Sequence, residues 1–240
     1  MTITRFFPAL FLAALATLPA HAEEPMAAHG SHGSQLFHAF MLEGDWADTD
    51  KGHLVTWDAH GWVGGDINKF MFKSEGVHQG KSYEQAEMWG LYSRNISDFW
   101  DVQVGIREDF IPYTRSYLTL GMDGMLPYFI ETEAHLFVSD LGDASARVKS
   151  HVDINITQRL VTRPHVEFNF FAQPVPEKSV KAGLANIEMG LQTRYELTRK
   201  FAPYLDLNYE RMVGATARLA TSRGVDNDSF TVRIGLKVWF

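Results

Sequence analysis

The sequence contains no cysteine, which excludes disulfide bonds as a source of order. After an apolar N-terminal segment it also lacks any apolar run near the roughly 18 residues that a transmembrane helix needs. A membrane-bound mature chain would have to be a closed β-barrel, because only helices and barrels satisfy every backbone polar group in lipid. The net charge of -7 argues against a nucleic-acid partner, and the chain has no Gly-rich phosphate loop.

The N-terminal segment has the features of a secretory signal peptide over residues 1–22. Arg5 supplies the positive region, Phe6 to Leu18 is the apolar region, and Ala20-His21-Ala22 is a small-x-small cleavage site. Residues 23–35 are polar and rich in small residues, which predicts a flexible periplasmic tail. The rest of the chain, residues 36–240, is predicted to be one domain.

Apolar and polar residues alternate from Leu36 to the C-terminus. The last strand shows it best, since Val232, Ile234, Leu236 and Val238 share one face with the terminal Phe240. Period-two alternation predicts strands with one apolar and one polar face. A terminal aromatic residue after such a strand resembles the C-terminal signal of bacterial outer-membrane barrels, which the assembly machinery binds.

About twelve segments of this kind occur, separated by turns and loops. They are Leu36–Trp46, His53–Val63, Lys69–Gly76, Tyr83–Asn95, Trp100–Glu108, Arg115–Met122, Leu126–Ser139, Ser145–Gln158, His165–Gln173, Ile187–Leu197, Tyr204–Met212 and Ser229–Phe240. The predicted tight turns are Gly65-Asp66, Ile96-Ser97-Asp98, Asp123-Gly124 and Lys200-Phe201-Ala202, and the longer loops are Glu75–Ser82, Pro174–Ala185 and Val213–Asp228.

This layout predicts an all-β fold, a transmembrane antiparallel up-and-down β-barrel of about twelve strands in the outer membrane of a Gram-negative cell, surrounded by lipid. The N-terminal tail would lie in the periplasm. The alternative is a soluble β-sandwich, which would expose its polar face to water. It would not need charged residues and histidines on nearly every strand together with aromatic residues beside the turns.

In the barrel, the polar face would line the lumen. The residues predicted to lie there are Glu43, Asp45, Asp58, His60, Asp101, Arg107, Glu131, Glu133, His135, Arg147, Lys149, His151, Asp153, His165, Glu167, Glu188, Arg194, Glu196, Asp206, Glu210, Arg233 and Lys237. Much of this charge is expected to form ion pairs that hold a narrow lumen together. Met88 and Met189 fall on the lipid-facing side.

Histidine and methionine suggest a metal. The chain has ten His and nine Met; thioether sulfur suits Cu(I), and imidazole suits copper in both oxidation states. Thiols would be prone to oxidation outside the cytoplasm, so a copper site built from Met and His is chemically reasonable. In the tail, Met26, His29 and His32 are spaced three residues apart. A single lumenal His is more often a hydrogen-bonding group than a metal ligand.

Several runs resemble the copper resistance protein B (CopB) family of bacterial outer-membrane proteins. They include Leu91-Tyr92-Ser93-Arg94, Phe99 to Arg107, Glu131 to Phe137, Pro203-Tyr204-Leu205 and Gly235 to Phe240, in the expected order. Family members often carry a longer N-terminal tract of repeated Met/His motifs, which is reduced here to Met26–His32.

The resemblance implies a copper-handling barrel that works with a periplasmic multicopper oxidase. It directs attention to copper ligands in the barrel: His135 and His151 on neighbouring strands, then His60 and Met41 on the first hairpin. Met26, His29 and His32 would capture copper, as Cu(I) or Cu(II), at the periplasmic mouth. The expected function is copper binding for resistance, by export or sequestration.

Two other functions compete with this one. A general narrow porin would carry its His and Met incidentally. An outer-membrane hydrolase would need a nucleophilic Ser beside a His base. His29-Gly30-Ser31 and His32-Gly33-Ser34 lie in the tail, which offers no oxyanion hole, so no enzymatic activity is expected.

Overall fold

The chain forms a closed antiparallel β-barrel in a computed structural model that describes residues 36–240. The signal peptide and tail predicted over 1–35 lie outside the described residues. The long strands are β1 Phe37–Thr49, β2 Gly52–Gly64, β3 Asn68–Gln79, β4 Ser82–Ser97, β5 Trp100–Ile111, β6 Arg115–Leu126, β7 Ile130–Ser139, β8 Ala144–His151, β10 Leu160–Phe171, β11 Gly183–Tyr195, β12 Phe201–Met212 and β13 Asp228–Trp239, with the two-residue β9 at Ile154–Asn155.

Consecutive strands pair in an up-and-down order, and β1 pairs with β13 to close the sheet. The short β9 pairs with β10 beyond the end of β8, so β8 and β9 together contribute one position around the wall. The barrel therefore has twelve strands in cross-section, as predicted. No helix in the described range 36–240 is long and apolar enough to cross a membrane.

The outward face is apolar, with aromatic residues near both rims. Its middle includes Ile106, Leu118 and Ile234, each at least 60% exposed. The exposed aromatic residues toward one rim include Phe40, Phe70, Tyr92, Phe99, Tyr128 and Phe129, and those toward the other include Trp46, Tyr83, Phe110, Tyr113 and Phe230. Met88 and Met189 are exposed on this face as predicted. An apolar band between two aromatic girdles is the surface of an outer-membrane barrel.

We call the rim where β1 starts and β13 ends the terminal rim, and the opposite end the loop rim. The terminal rim carries the connection Pro127–Phe129, a short 3-10 turn. The loop rim carries residues 172–182, with the 3-10 turn Pro176–Lys178, and residues 213–227, with the helix α1, Gly214–Ser222. That helix was not predicted.

Four predicted connections were wrong in full or in part. Ile96 and Ser97 of one predicted turn already belong to β4. Glu75–Ser82 is mostly strand, because Gly80, at a φ of +61°, lets the chain reverse in two residues after Gln79. Asp123-Gly124 lies inside β6, where Gly124 pairs with Trp100. Phe201 and Ala202 already belong to β12.

Candidate functional site in the barrel lumen

The lumen is lined by the polar face of nearly every strand, as predicted. Cross-strand partners inside the barrel include Glu43 with Asp58 and Glu167 with Lys149. Asp153 and Glu196 differ from the prediction, since they lie in the connections of the terminal rim rather than on strands. Their side chains still point to the lumen mouth, where both line a cavity.

A network of ion pairs fills the middle of the lumen. The Glu87 carboxylate is fully buried, lying 2.6 Å from Arg107 and 2.8 Å from Arg147. Arg147 also reaches Glu75 at 3.2 Å, and Glu75 accepts a 2.8 Å hydrogen bond from Lys149. Buried charges are tolerated only when paired in this way. The predicted network therefore exists, and it ties β3, β4, β5 and β8 together across the lumen.

Sequence reasoning missed several members of the network. Lys73, Glu75 and Glu87 were not predicted to be lumenal, and Asp123 was assigned to a turn. The signal was present, because Lys69, Met71, Lys73 and Glu75 alternate with Phe70 and Phe72. The prediction instead began a loop at Glu75, so this alternation was not extended along the strand.

His135 is buried on β7, 3% exposed. Its ring packs edge-on against Trp89 at 5.0 Å between centroids, and its Nε2 lies 2.8 Å from Gln103 Oε1. The Gln103 amide nitrogen in turn lies 3.1 Å from Met71 Sδ and 3.3 Å from Asp123 Oδ2. A thioether, an imidazole and a carboxylate thus surround one glutamine side chain.

His151 and His135 face the same lumen but do not meet. Glu131 is the partner of His151 across β7 and β8, and Arg147 is the partner of His135. The two histidines are therefore four positions apart along the strands, roughly 13 Å. His151 Nε2 lies 3.2 Å from Glu131 Oε2.

The neighbour of His151 is His165, its register partner on β10. The His165 ring lies over Gly190 on β11, so close that a Cβ there would be 2.4 Å from its Cε1. Directly opposed residues have Cβ atoms about 4.5–5.5 Å apart. The two residues are opposed in register, but the His165 ring leans toward β11 and the His151 ring leans toward Glu131 on β7. A shared ion would require one of the rings to turn. His165 was predicted to be lumenal, but not as part of a metal site.

Met41 and His60 form a second cross-strand pair. They are register partners on β1 and β2, and the His60 Nδ1 lies 3.1 Å from Asp58 Oδ1. Met41 also lines a cavity of about 430 Å³ at the terminal rim, together with Asp153, Arg163, Arg194, Glu196, Arg199, Lys237 and Trp239. The first hairpin thus presents a thioether and an imidazole beside the mouth of the lumen.

Asp153 organises this mouth. It accepts hydrogen bonds from Arg163 Nε at 2.6 Å and from Arg194 Nη2 at 2.7 Å. Partial burial raises the pKa of the Asp153 carboxyl, but the two guanidinium groups outweigh burial and hold that pKa below its ordinary value. The carboxylate stays charged and fixes both arginines.

The loop rim is covered by its own loops. Lys178 reaches inward to Asp109 at 2.9 Å and lies over the Tyr117 ring. Arg115 pairs with Glu177 at 2.6 Å, and the Thr216 hydroxyl of α1 accepts a hydrogen bond from the Lys181 backbone. These contacts hold both long loops over the mouth.

No group of three or more His, Asp or Glu side chains within residues 36–240 is arranged to hold a metal ion. The described part of the chain instead offers pairs of soft and imidazole donors. Met26, His29 and His32 lie outside it.

Known structures similar to this barrel include outer-membrane porins. The NanC porin superposes with a TM-score of 0.56 at 14% identity, covering 83% of this chain and 98% of that one. The KdgM porin gives 0.50 at 11% identity, covering 84% and 99%. The fold and its lipid-facing surface define an outer-membrane β-barrel protein.

Sequence comparison gives the family. The family model for "Copper resistance protein B precursor (CopB)" matches residues 37–240, and the chain belongs to that family. A copper resistance protein B homolog of Pseudomonas syringae pv. tomato is 33% identical over 88% of this chain and 73% of its own length. Copper resistance protein B of Escherichia coli is 31% identical over 88% and 72%. This family and this fold support a role in copper resistance at the outer membrane.

Proposed function

We propose that this barrel binds copper ions in its lumen and lets them cross the outer membrane. The observation that carries the proposal is the register, which places Met41 opposite His60 and His151 opposite His165 inside the barrel. Thioether and imidazole are donors that copper accepts in its two oxidation states. Together with membership in a copper-resistance family, these pairs favour copper as the cargo.

The connections support one orientation. Outer-membrane barrels have short periplasmic turns and longer external loops, so we infer that the terminal rim faces the periplasm. The tail 23–35 would then lie in the periplasm, and its Met26, His29 and His32 would capture copper there. Ions would enter the lumen at the Met41–His60 pair.

Each pair offers two protein ligands, so water would complete the copper shell. Passage through a pore requires sites that bind an ion but also release it. Two-ligand sites meet that requirement better than a closed four-ligand site. His135, deeper in the lumen, would follow these outer sites.

Copper binding to the purified protein in detergent tests the proposal. The variants are Met41→Leu with His60→Ala, and His151→Ala with His165→Ala, measured by equilibrium dialysis and by competition with a chromophoric chelator. We expect each double variant to lose copper. The controls are His53→Ala, an exposed residue of the loop rim, and Met189→Leu on the lipid face, which should change nothing. Equal copper content in all five proteins would refute the assignment.

A general porin is the second candidate, supported by the likeness of the fold to the NanC and KdgM porins. Liposome flux separates the two functions. A copper-selective barrel passes copper faster than sodium or a small sugar, whereas a general porin passes all three at similar rates.

A periplasmic multicopper oxidase is proposed as the partner at the terminal rim. Such an enzyme would supply or accept copper there, while the barrel itself performs no chemistry. Binding of a purified oxidase from the same organism to detergent-solubilised barrel, by surface plasmon resonance, tests this partnership.

A further inference from the structure

One glutamine side chain occupies a place in the lumen that a metal ion would fit. Gln103 is 0% exposed, and its amide nitrogen touches Met71 Sδ at 3.1 Å and Asp123 Oδ2 at 3.3 Å. Its amide oxygen touches His135 Nε2 at 2.8 Å. A thioether, a carboxylate and an imidazole from three other strands therefore converge on this single group.

A glycine on the strand between Gln103 and His135 makes this convergence possible. Gln103, Gly121 and His135 are successive register partners across β5, β6 and β7. A Cβ on Gly121 would be 2.3 Å from the His135 ring. Because Gly121 has no side chain, Gln103 and His135 meet over it.

We propose that Met71, His135 and Asp123 form a further, internal copper site that Gln103 closes. Copper(I) would take the thioether and the imidazole, which are the soft and intermediate donors it prefers. The Asp123 carboxylate would compensate the positive charge. This inference rests on the proposed copper function, and it adds residues that lie apart from the pairs near the terminal rim.

The basic groups that act on His135 are Lys73, Arg147 and Lys149. Each is paired with a carboxylate, Lys73 with Glu133 and the other two with Glu75. Trp89 packs edge-on against His135 at 5.0 Å between centroids, and Phe137, which also contacts Trp89, stacks beside the imidazole at 6.1 Å. These rings exclude water and fix the imidazole, so an entering ion exchanges with the Gln103 amide rather than with solvent.

The glutamine acts as a competitor. While its amide is in place, no coordination position is free; when the side chain turns away, three ligands are exposed. Apparent affinity scales with the fraction of time that the open arrangement is populated. Gln103 therefore sets how tightly the site holds copper.

Titration with copper(I) under anaerobic, reducing conditions tests the inference, with X-ray absorption at the copper edge to detect sulfur. Gln103→Ala should bind copper(I) about ten-fold more tightly than wild type, because the competing amide is gone. Met71→Leu should remove one sulfur from the copper shell and lower the affinity at this site by at least about ten-fold. The matched control is Met122→Leu, a lipid-facing methionine of β6 that should leave binding unchanged. Heat-modifiability on gels confirms that each variant is folded.

Three results decide the matter. If Gln103→Ala gains affinity and Met71→Leu loses it, the inference stands. If copper binding depends on the Met41–His60 and His151–His165 pairs but ignores Gln103 and Met71, the internal site is refuted while the proposed function survives. If neither wild type nor Gln103→Ala binds copper, both are refuted.

Discussion

The ammonium of Lys178, on a loop of the loop rim, lies 2.9 Å from the Asp109 carboxylate on the inner wall. The Asp109 side chain is 6% exposed, and it also accepts two hydrogen bonds from Arg107. A lysine of the covering loop is thus anchored in the same ion-pair network that fills the lumen. Loop position and lumen charge are therefore coupled.

Lys178→Ala should open the loop rim. Partly exposed ion pairs contribute roughly 1 kcal/mol, so the ratio of closed to open states should fall by about five-fold. Single-channel recording in planar bilayers measures this as a larger open probability. Lys181→Ala, in the same loop, is the control. A covering loop that is held by other contacts would leave both variants like wild type.

Arg147→Ala should destabilise the whole barrel. It leaves Glu87, which is fully buried, and Glu75 with fewer counter-charges, and breaking a buried pair costs about 3–5 kcal/mol. Urea unfolding followed by tryptophan fluorescence measures the loss. Arg94→Ala on the exposed outer face should cost little. Equal stability of the two variants would show that the network is not a major source of stability.

The alternation of apolar and polar residues predicts which face of a strand a side chain lies on, but it does not predict the contacts between distant strands. A period of two separates lipid-facing from lumenal residues on each strand, so His60, His135 and Lys237 were placed on the correct side. It carries no information about which strand lies opposite across the lumen. Arg147 meets Glu75, 72 residues away in the chain, only because the barrel closes.

The sequence pattern also could not predict which residues face each other on neighbouring strands of the candidate site. His135 and His151 were predicted on neighbouring strands, and they are. The β7–β8 turn, however, sets a register in which they sit four positions apart. Turn geometry fixes register, and the type of the turn over Asp140–Asp143 was not predicted. For that reason His165, two strands from His135, was missed as the partner of His151.

Gly190→Ala should displace the His165 ring, because the new Cβ would lie 2.4 Å from Cε1 and 2.5 Å from Nε2. We expect copper bound near His151 to fall, measured by dialysis on folded barrel. Gly235→Ala is the matched control, since its Cβ would crowd the Tyr204 ring at 2.3 Å, away from the Met41–His60 and His151–His165 pairs. Both variants carry similar steric strain. An equal loss of copper in the two would attribute the effect to strain and not to His165.

The last prediction concerns pH at the terminal rim. The pKa of Asp153 is lowered in the folded protein from its ordinary 3.8, so the folded state releases this proton more readily than the unfolded chain. The stabilisation is therefore complete above the ordinary pKa and is lost as pH falls through the lower folded value. At pH 7, Asp153→Asn should unfold at a lower urea concentration than wild type. The free energy of unfolding should be smaller by about 1 kcal/mol. Below pH 4 the two curves should approach each other, because the unfolded wild-type chain takes up the Asp153 proton first and the folded carboxylate takes it up only at a still lower pH. A constant difference between pH 7 and pH 2 would show that Asp153 stabilises the mouth through shape rather than charge.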